Sequence, residues 1–285
     1  MPSNWRFKLL NEQASKNPYS FTSIQGVDLL ALSDGWLNEL PFNSFQTIRE
    51  DQLRNRLNRH AVLFLSGFRG DVVYKILPIS FTPWVMLFRH GEELAPAARE
   101  SWKVLLDPSL KGHLVLPRSA RLIMSIADRM GYKNELKRLR NQAITLDDQY
   151  AMNWILSGKA KVAVVPLQYC MDSLVKDPRL SVALPKEGAP LNWVLVAHPK
   201  KSSEMFPTSW VNSTWELPLM GKLISKGWIP PLPYSELLTA IDYIPKTQQS
   251  ILFDSEQTFD NFWSIAPLDS TDQEILRDRW LSSTP

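Results

Sequence analysis

In "NWRFKLL", Asn4 to Leu10, apolar and polar positions alternate with the period of two that predicts a short strand. After a polar loop, Val27 to Leu32, "VDLLAL", is a nearly unbroken apolar run, the pattern of a buried parallel-type strand. It runs into "SDGWLNEL", where Ser33, Asp34 and Gly35 predict a turn and cap before a helix. Ser33 and Trp36 then stand at the carboxyl end of a strand, where open α/β sheets take their ligands. "DQLRNRLNRHAVLFL" has helical spacing and is ended by Gly67 and Gly70. "DVVYKILPISFTPWVMLF" is one apolar passage interrupted by Pro78 and Pro83. Proline brings no ladder donor, so the passage predicts two strands joined by a crossing segment.

From Arg89 the pattern is helix, strand, helix: "AARESWKVLL", "HLVLP", then "RSARLIMSIADRM" ended by Gly131. "TLDDQYAMNWILSGK" predicts a further helix with Thr145 as its N-cap. A strand "KVAVVPL", a helix "QYCMDSLV", a strand "LSVALP" and a return strand Trp193 to His198 follow. "FPTSWVNSTWELPLMGKLISKGWIPP" predicts two helices, and a polar, aromatic-dotted tail begins at Tyr234. Such alternation predicts an α/β protein with a mostly parallel sheet and helices on both faces. The proline-marked passages around Pro78 to Pro83 and Pro185 to Pro190 bracket about a hundred residues, a usual domain size. One lobe inserted into another is expected, residues 1–80 and 197–285 forming the first and 81–196 the second.

Composition narrows the function classes. The 285 residues carry 32 Lys and Arg against 29 Asp and Glu, a net charge of +3, with no basic block dense enough for a nucleic-acid arm. The most basic stretch, "ELKRLR", Glu135 to Arg140, is spaced as a solvated helix face. The single cysteine, Cys170, excludes an internal disulfide and reads as a small buried filler. No apolar run reaches the roughly 18 residues of a membrane span, and the opening "MPSNWRFKLLNEQ" lacks a charged segment followed by an apolar one.

The common phosphate-loop, dinucleotide, zinc-protease and nucleophile-elbow motifs do not occur, so no catalytic residue, metal or cofactor is expected. His60, His90, His113 and His198 are scattered singly and read as surface or strand-end residues. Glu92-Glu93 and Asp147-Asp148 lie in helix-start contexts, where they oppose the helix dipole.

Four stretches carry a family resemblance. "ESWKVLLDPSLKGHLVLPRSARLIMSIADRMGY" looks like "SWADLWKPEYKGSLLL" followed by an Asp-Asp-Ala-Arg-Glu helix start and a "LG" helix end. "VALPKEGAPLNWVLVAHPKKS" is similar to a "VWPKEG" turn, a return strand and "IPANAKN"; "ISKGWIPP" resembles "GYPTPN", and "VDLLALSDGWL" resembles "YDLVVPSTYYV". In this order and spacing they resemble the bacterial extracellular solute-binding proteins of ABC transporters, the type II periplasmic binding proteins, nearest the spermidine/putrescine-binding branch. The match runs from Gln25 to Pro233.

The resemblance implies two α/β lobes, each a mostly parallel sheet flanked by helices, joined by two crossing strands and closing on a small solute. It further implies an ABC permease as partner, a periplasmic location and a monomer, with no nucleic acid involved. It places a ligand among Ser33, Trp36, Phe81, Thr82, Ser119, Arg121, Trp193 and Trp228. Of the Asp-Ala-Arg-Glu start, this chain keeps Ala120 and Arg121, with Ser119 and Leu122 in place of the acids. An ungapped match through "PKEG" sets Asn192 at the family's tryptophan and Val194 at its amine-binding aspartate. A buried ammonium without a carboxylate costs several kcal/mol, more than a cation-π contact of about 2 kcal/mol offsets, so a polyamine is disfavoured. Arg118, Ser119 and Arg121 open a helix whose N-terminus suits an anion.

Family members begin with a signal sequence, a strand and a helix that this chain lacks, so the coding start is expected upstream of Met1. The lost acids motivate a second expectation, a degenerate binding-protein scaffold acting as an interaction protein without transport.

Overall fold

The computed structural model describes residue 6 and residues 26–90, 93–131, 134–253, 255–265, 268 and 270–284. Of the strand expected in "NWRFKLL" only Arg6 is described, and the rest of it and Glu92 lie outside the described residues.

Among the described residues eight strands form the sheet: β1 (Leu30–Ser33), β2 (Ile76–Arg89), β3 (Leu114–Leu116), β4 (Ala143–Leu146), β5 (Val162–Pro166), β6 (Leu180–Ala183), β7 (Pro190–Ala197) and β8 (Trp263–Ser264). Their order is β1-β7-β2-β5-β3-β4, with β6 on β2 and β8 on β7. Pairing is parallel among β5, β3 and β4 and between β7 and β8, whereas β2 is antiparallel to β5, β6 and β7.

The passage expected as two strands is the single strand β2 of 14 residues. Its prolines stand where the ladder asks least of them. Pro78 lies at a register shift, and Pro83 is the last partner of β7 before pairing passes to β5 at Trp84. Because β2 is covered on both faces, 12 of its 14 positions are buried and its sequence is mostly apolar, Ser80, Thr82 and Arg89 being the exceptions. β1 is shorter than "VDLLAL" and antiparallel to β7. Only Leu30 of its four residues is buried, so it is not the doubly covered strand expected.

Thr145 does not cap a helix. It lies in β4, where a β-branched residue fits the pleated surface, and the next helix is Ala151–Leu156. Asp147 serves that start, accepting from the Tyr150 N–H at 3.2 Å. "DQLRNRLNRHAVLFL" forms two helices, Asp51–Arg54 and Arg59–Ser66, because Asn58 caps the second by accepting from the Ala61 N–H at 2.9 Å. Helix Ala120–Met130 has the expected limits, with Ser119 accepting from the Leu122 N–H and Gly131 closing it at φ 88°.

His198 stands at a strand end, as expected, though buried, whereas His60 is buried in helix Arg59–Ser66 rather than on the surface. His198 follows β7 and its Nε2 meets the Glu204 carbonyl at 3.1 Å, whereas His60 enters an aromatic core with Phe259 and Phe262. Phe81 and Trp193 join the same core, which lies under β2 and β7.

The tail from Tyr234 is largely helical. It returns to the sheet as β8 and then sends helix Ser270–Ser282 onto helices Ala120–Met130 and Glu135–Gln142. Arg279 there pairs with Asp128, and the Arg140 guanidinium sits 3.8 Å from the centre of the Trp280 ring. The Trp263 indole N–H reaches the Ser125 hydroxyl at 2.7 Å.

Candidate functional site

The site grows from the end of β1. Ser33 closes that strand opposite Val194, and its hydroxyl donates to Asn192 Oδ1 at 2.8 Å. Asp34 follows at the start of the two-turn 3-10 helix Asp34–Glu39. Instead of capping that segment, its Oδ1 accepts from the Trp193 backbone N–H and lies within reach of the Ser33 hydroxyl, each at 3.3 Å. Asn192 is also the register partner of Thr82 on β2. Thr82 Oγ1 accepts from the Gln168 N–H at 3.3 Å, which joins the start of helix Leu167–Lys176 to the same group. Gln168 Oε1 is buried and accepts no hydrogen bond among the described residues.

Arg121, in the first turn of helix Ala120–Met130, supplies the opposing charge. Removal from water pushes the Asp34 carboxyl up to about 7, against the lowering effect of the Trp193 N–H, the Ser33 hydroxyl and the Arg121 charge. Burial likewise lowers the Arg121 guanidinium, and Asp34 opposes that shift. A carboxyl poised near neutrality changes charge readily when a cation approaches.

The eight expected ligand residues divide by exposure. Phe81, Thr82 and Trp193 are wholly buried and have no surface to offer a solute in this conformation. Trp193 lies on Phe64 at 5.1 Å and donates its indole N–H to Ser264 Oγ at 2.9 Å. Phe81 exchanges two backbone hydrogen bonds of 2.8 Å with Ile229. These three belong to the core beneath the candidate site. Ser33, Trp36, Arg121 and Trp228 are half-buried, and Ser119 is exposed with its hydroxyl engaged in capping. Trp228 follows Gly227, at φ 82°, where a Cβ would stand 2.8 Å from the backbone N and Cα of Gln168. The bare glycine lets that turn approach the helix start.

Asp34, Asn192 and Gln168 were not expected in the site. The "SDG" signal was visible, but a turn accounts for it equally well. Away from the crevice, Cys170 is buried with its thiol pushed up to about 12, which makes it inert. Among the described residues no cluster of metal-ligating groups occurs and no helix is long and apolar enough to cross a membrane.

No family model and no curated protein matches the chain. Solved structures do match. One is a spermidine/putrescine ABC transporter substrate-binding protein, PotD, from Streptococcus pneumoniae, in complex with calcium and HEPES. It is 14% identical, with a TM-score of 0.72 over 94% of this chain and 87% of that one. The TpPotD lipoprotein of Treponema pallidum is 13% identical, with a TM-score of 0.63 over 90% and 84% of the two chains. A periplasmic thiamin binding protein is 13% identical, with a TM-score of 0.57 over 90% and 77%. At such identities the likeness is one of architecture: this chain has the mixed α/β fold, with an open multi-stranded sheet, of the type II periplasmic binding proteins.

Proposed function

We propose that this chain captures a small solute between its lobes and delivers it to an ABC permease, acting as a periplasmic monomer without a chemical step. The observation that carries the reading is the convergence of Ser33, Asp34, Asn192 and Arg121 on this fold. Ser33 and Asp34 at the end of β1 bond Asn192 and the Trp193 backbone on β7, and the Arg121 charge at the start of helix Ala120–Met130 acts on Asp34. Handover of the ladder at Pro83 and Trp84 supports an inserted lobe that starts near residue 81. β6 pairs with the far half of β2 and β7 with the near half, which supports a return between residues 184 and 189, earlier than 196. The docking of helix Ser270–Ser282 on Ala120–Met130 supports a third crossing near Trp263, so that the last residues accompany the inserted lobe.

The experiment is a thermal-shift screen across polyamines, amino acids, organic acids and sugars, followed by calorimetry. A captured solute at 100 times its Kd adds about 2.7 kcal/mol to native-state stability. Failure of every solute to raise Tm or release heat overturns the reading. A second reading, an interaction protein on a degenerate scaffold, is favoured by one observation. Ser33 bonds Asn192 and the core residues beneath are fully packed, so the crevice is partly occupied by its own side chains. A folded chain that binds none of these solutes would support that reading.

A further inference from the structure

After Phe259 the chain meets helix Ala120–Met130 twice. Phe259 and Phe262 lie in the aromatic core with His60 and Phe81, and Ser264 accepts from the Trp193 indole. Trp263, between them, contacts the helix instead. Its indole N–H donates to Ser125 Oγ at 2.7 Å, and the Arg129 guanidinium stands 4.5 Å from its ring centre. Helix Ser270–Ser282 then brings Arg279 to Asp128, with one contact of 3.0 Å. Ser125, Asp128 and Arg129 are spaced i, i+3 and i+4, so they share one face of their helix, while Leu122, Ile123, Ile126 and Met130 are buried in the core.

The two attachments are held unequally. Trp263 also donates its backbone N–H to the Ala189 carbonyl at 3.0 Å and pairs with Pro190 as part of the sheet. Of residues 271–282, by contrast, only Leu276 and Trp280 are half-buried and the rest are exposed. A helix of 13 residues is marginal in water by itself, so this one depends on its docking. Arg279 fastens it to Asp128 through a pair whose members are 41% and 55% exposed. Arg140 fastens it further: its guanidinium lies 3.8 Å from the Trp280 ring centre and donates to the Trp280 carbonyl and the Ser283 hydroxyl. Exposed ion pairs contribute little and are screened by salt, and elements with few buried apolar contacts open at small free-energy cost.

We infer that helix Ser270–Ser282 is a releasable strap. Fastened, it ties the core under β2 and β7 to the inserted lobe and limits movement between the lobes; it opens as a unit while the rest of the chain stays folded. The inference rests on the lobe division proposed above and on no particular solute.

Hydrogen exchange followed by mass spectrometry compares the wild type, Arg279→Ala and Arg140→Ala at low salt and in about 1 M sodium chloride, where the Debye length falls to about 3 Å. Residues 270–282 are expected to exchange about fivefold faster in Arg279→Ala and at least about tenfold faster in Arg140→Ala, with β2 unchanged. Salt is expected to move the wild type in the same direction. Spin labels at Val62→Cys and Val175→Cys, exposed positions on the two lobes, report the distance between them, and the native Cys170 is buried away from the label. Release of the strap is expected to broaden that distance distribution. Exchange that rises equally along the whole chain, or protection of residues 270–282 that neither variant changes, overturns the inference. So does a helix that opens while the distance distribution stays as it was, since it then ties nothing. Should Arg140→Ala not fold, Arg279→Ala and the salt series decide. No solute enters these measurements, so a failed solute screen leaves the strap standing and a failed strap leaves solute capture intact.

Discussion

Trp193 lies on Phe64 with ring centroids 5.1 Å apart and planes inclined by 23°, and its indole N–H is held by Ser264 at 2.9 Å. One side chain thus joins β7, helix Arg59–Ser66 and β8. Large-to-small changes in such a core cost roughly 3–5 kcal/mol, so Trp193→Ala is expected to lower unfolding stability by that amount in urea titrations followed by circular dichroism. Ser264→Ala removes the acceptor only and is expected to cost about 1 kcal/mol. A Trp193→Ala variant as stable as the wild type would return this tryptophan to the list of ligand-stacking candidates.

The Asp34 carboxyl makes an unusual contribution to stability. Its folded pKa of about 7 lies above the ordinary 3.8, so between these values the folded chain binds more protons than the unfolded one. Stability from this group is present at low pH and is lost as pH rises through that window, the reverse of a salt-bridged aspartate. Asp34→Asn is therefore expected to match the wild type near pH 4 and to exceed it by about 2 kcal/mol at pH 8, allowing for partial exposure. Paired with weaker binding of ammonium solutes, this would be stability given up for function. An Asn variant less stable than the wild type at pH 8 would show that the carboxylate is well compensated.

The strand Leu114–Leu116, the helix that Gly131 ends, and the order β5, helix Leu167–Lys176, β6, β7 were legible from their periods, whereas β4 lay hidden in a stretch with helical spacing. β2 was not, because the general rule against proline in central strands takes no account of a ladder that changes partners at Pro83. Helix Ser270–Ser282 was equally hidden. It has no apolar stripe, Ile275 and Leu281 being exposed, and docks instead through Arg279 and Trp280. Of the candidate residues, Ser33 at a strand end and Arg121 at a helix start stand where those local signals set them. Asp34 escaped because its partner Trp193 lies 159 positions away, a relation fixed by β1–β7 register and by nothing local.

Gly188, in the "PKEG" turn, has φ 90°, and a Cβ there would collide with the backbone carbonyl of Asn261. The surrounding bonds are fixed as well: its own carbonyl accepts from the Trp102 indole at 3.0 Å, and Asn261 donates to the Lys186 carbonyl at 2.8 Å. Gly188→Ala should therefore combine left-handed strain of about 1–2 kcal/mol with overpacking of about 1–3 kcal/mol. Gly112, at φ 74° with open space around it, isolates the first of these. Chemical denaturation of both alanine variants is expected to show Gly188→Ala as clearly the less stable. Equal losses would mean that the contact with Asn261 relaxes freely.

His60 should counter Asp34 at acid pH. It is 5% exposed, packs edge-on to Phe259 at 5.5 Å, and its Nε2 has no hydrogen-bond partner among the described residues. Burial lowers its pKa from the ordinary 6.5, against the opposing effects of the Phe259 backbone and Asp260. Below about 6.5 the unfolded chain takes up a proton that the folded chain refuses, so stability falls as pH falls. The two groups therefore pull in opposite directions across neighbouring pH ranges, and the wild-type stability profile should be flatter than either group alone would give. His60→Phe keeps the ring packing, removes the orphaned nitrogen and is expected to gain stability at pH 5 relative to pH 8. Measured beside Asp34→Asn, it separates the two effects, since the histidine variant should gain in acid and the aspartate variant at alkaline pH. A His60→Phe profile parallel to that of the wild type would mean that the imidazole is protonated in the folded core.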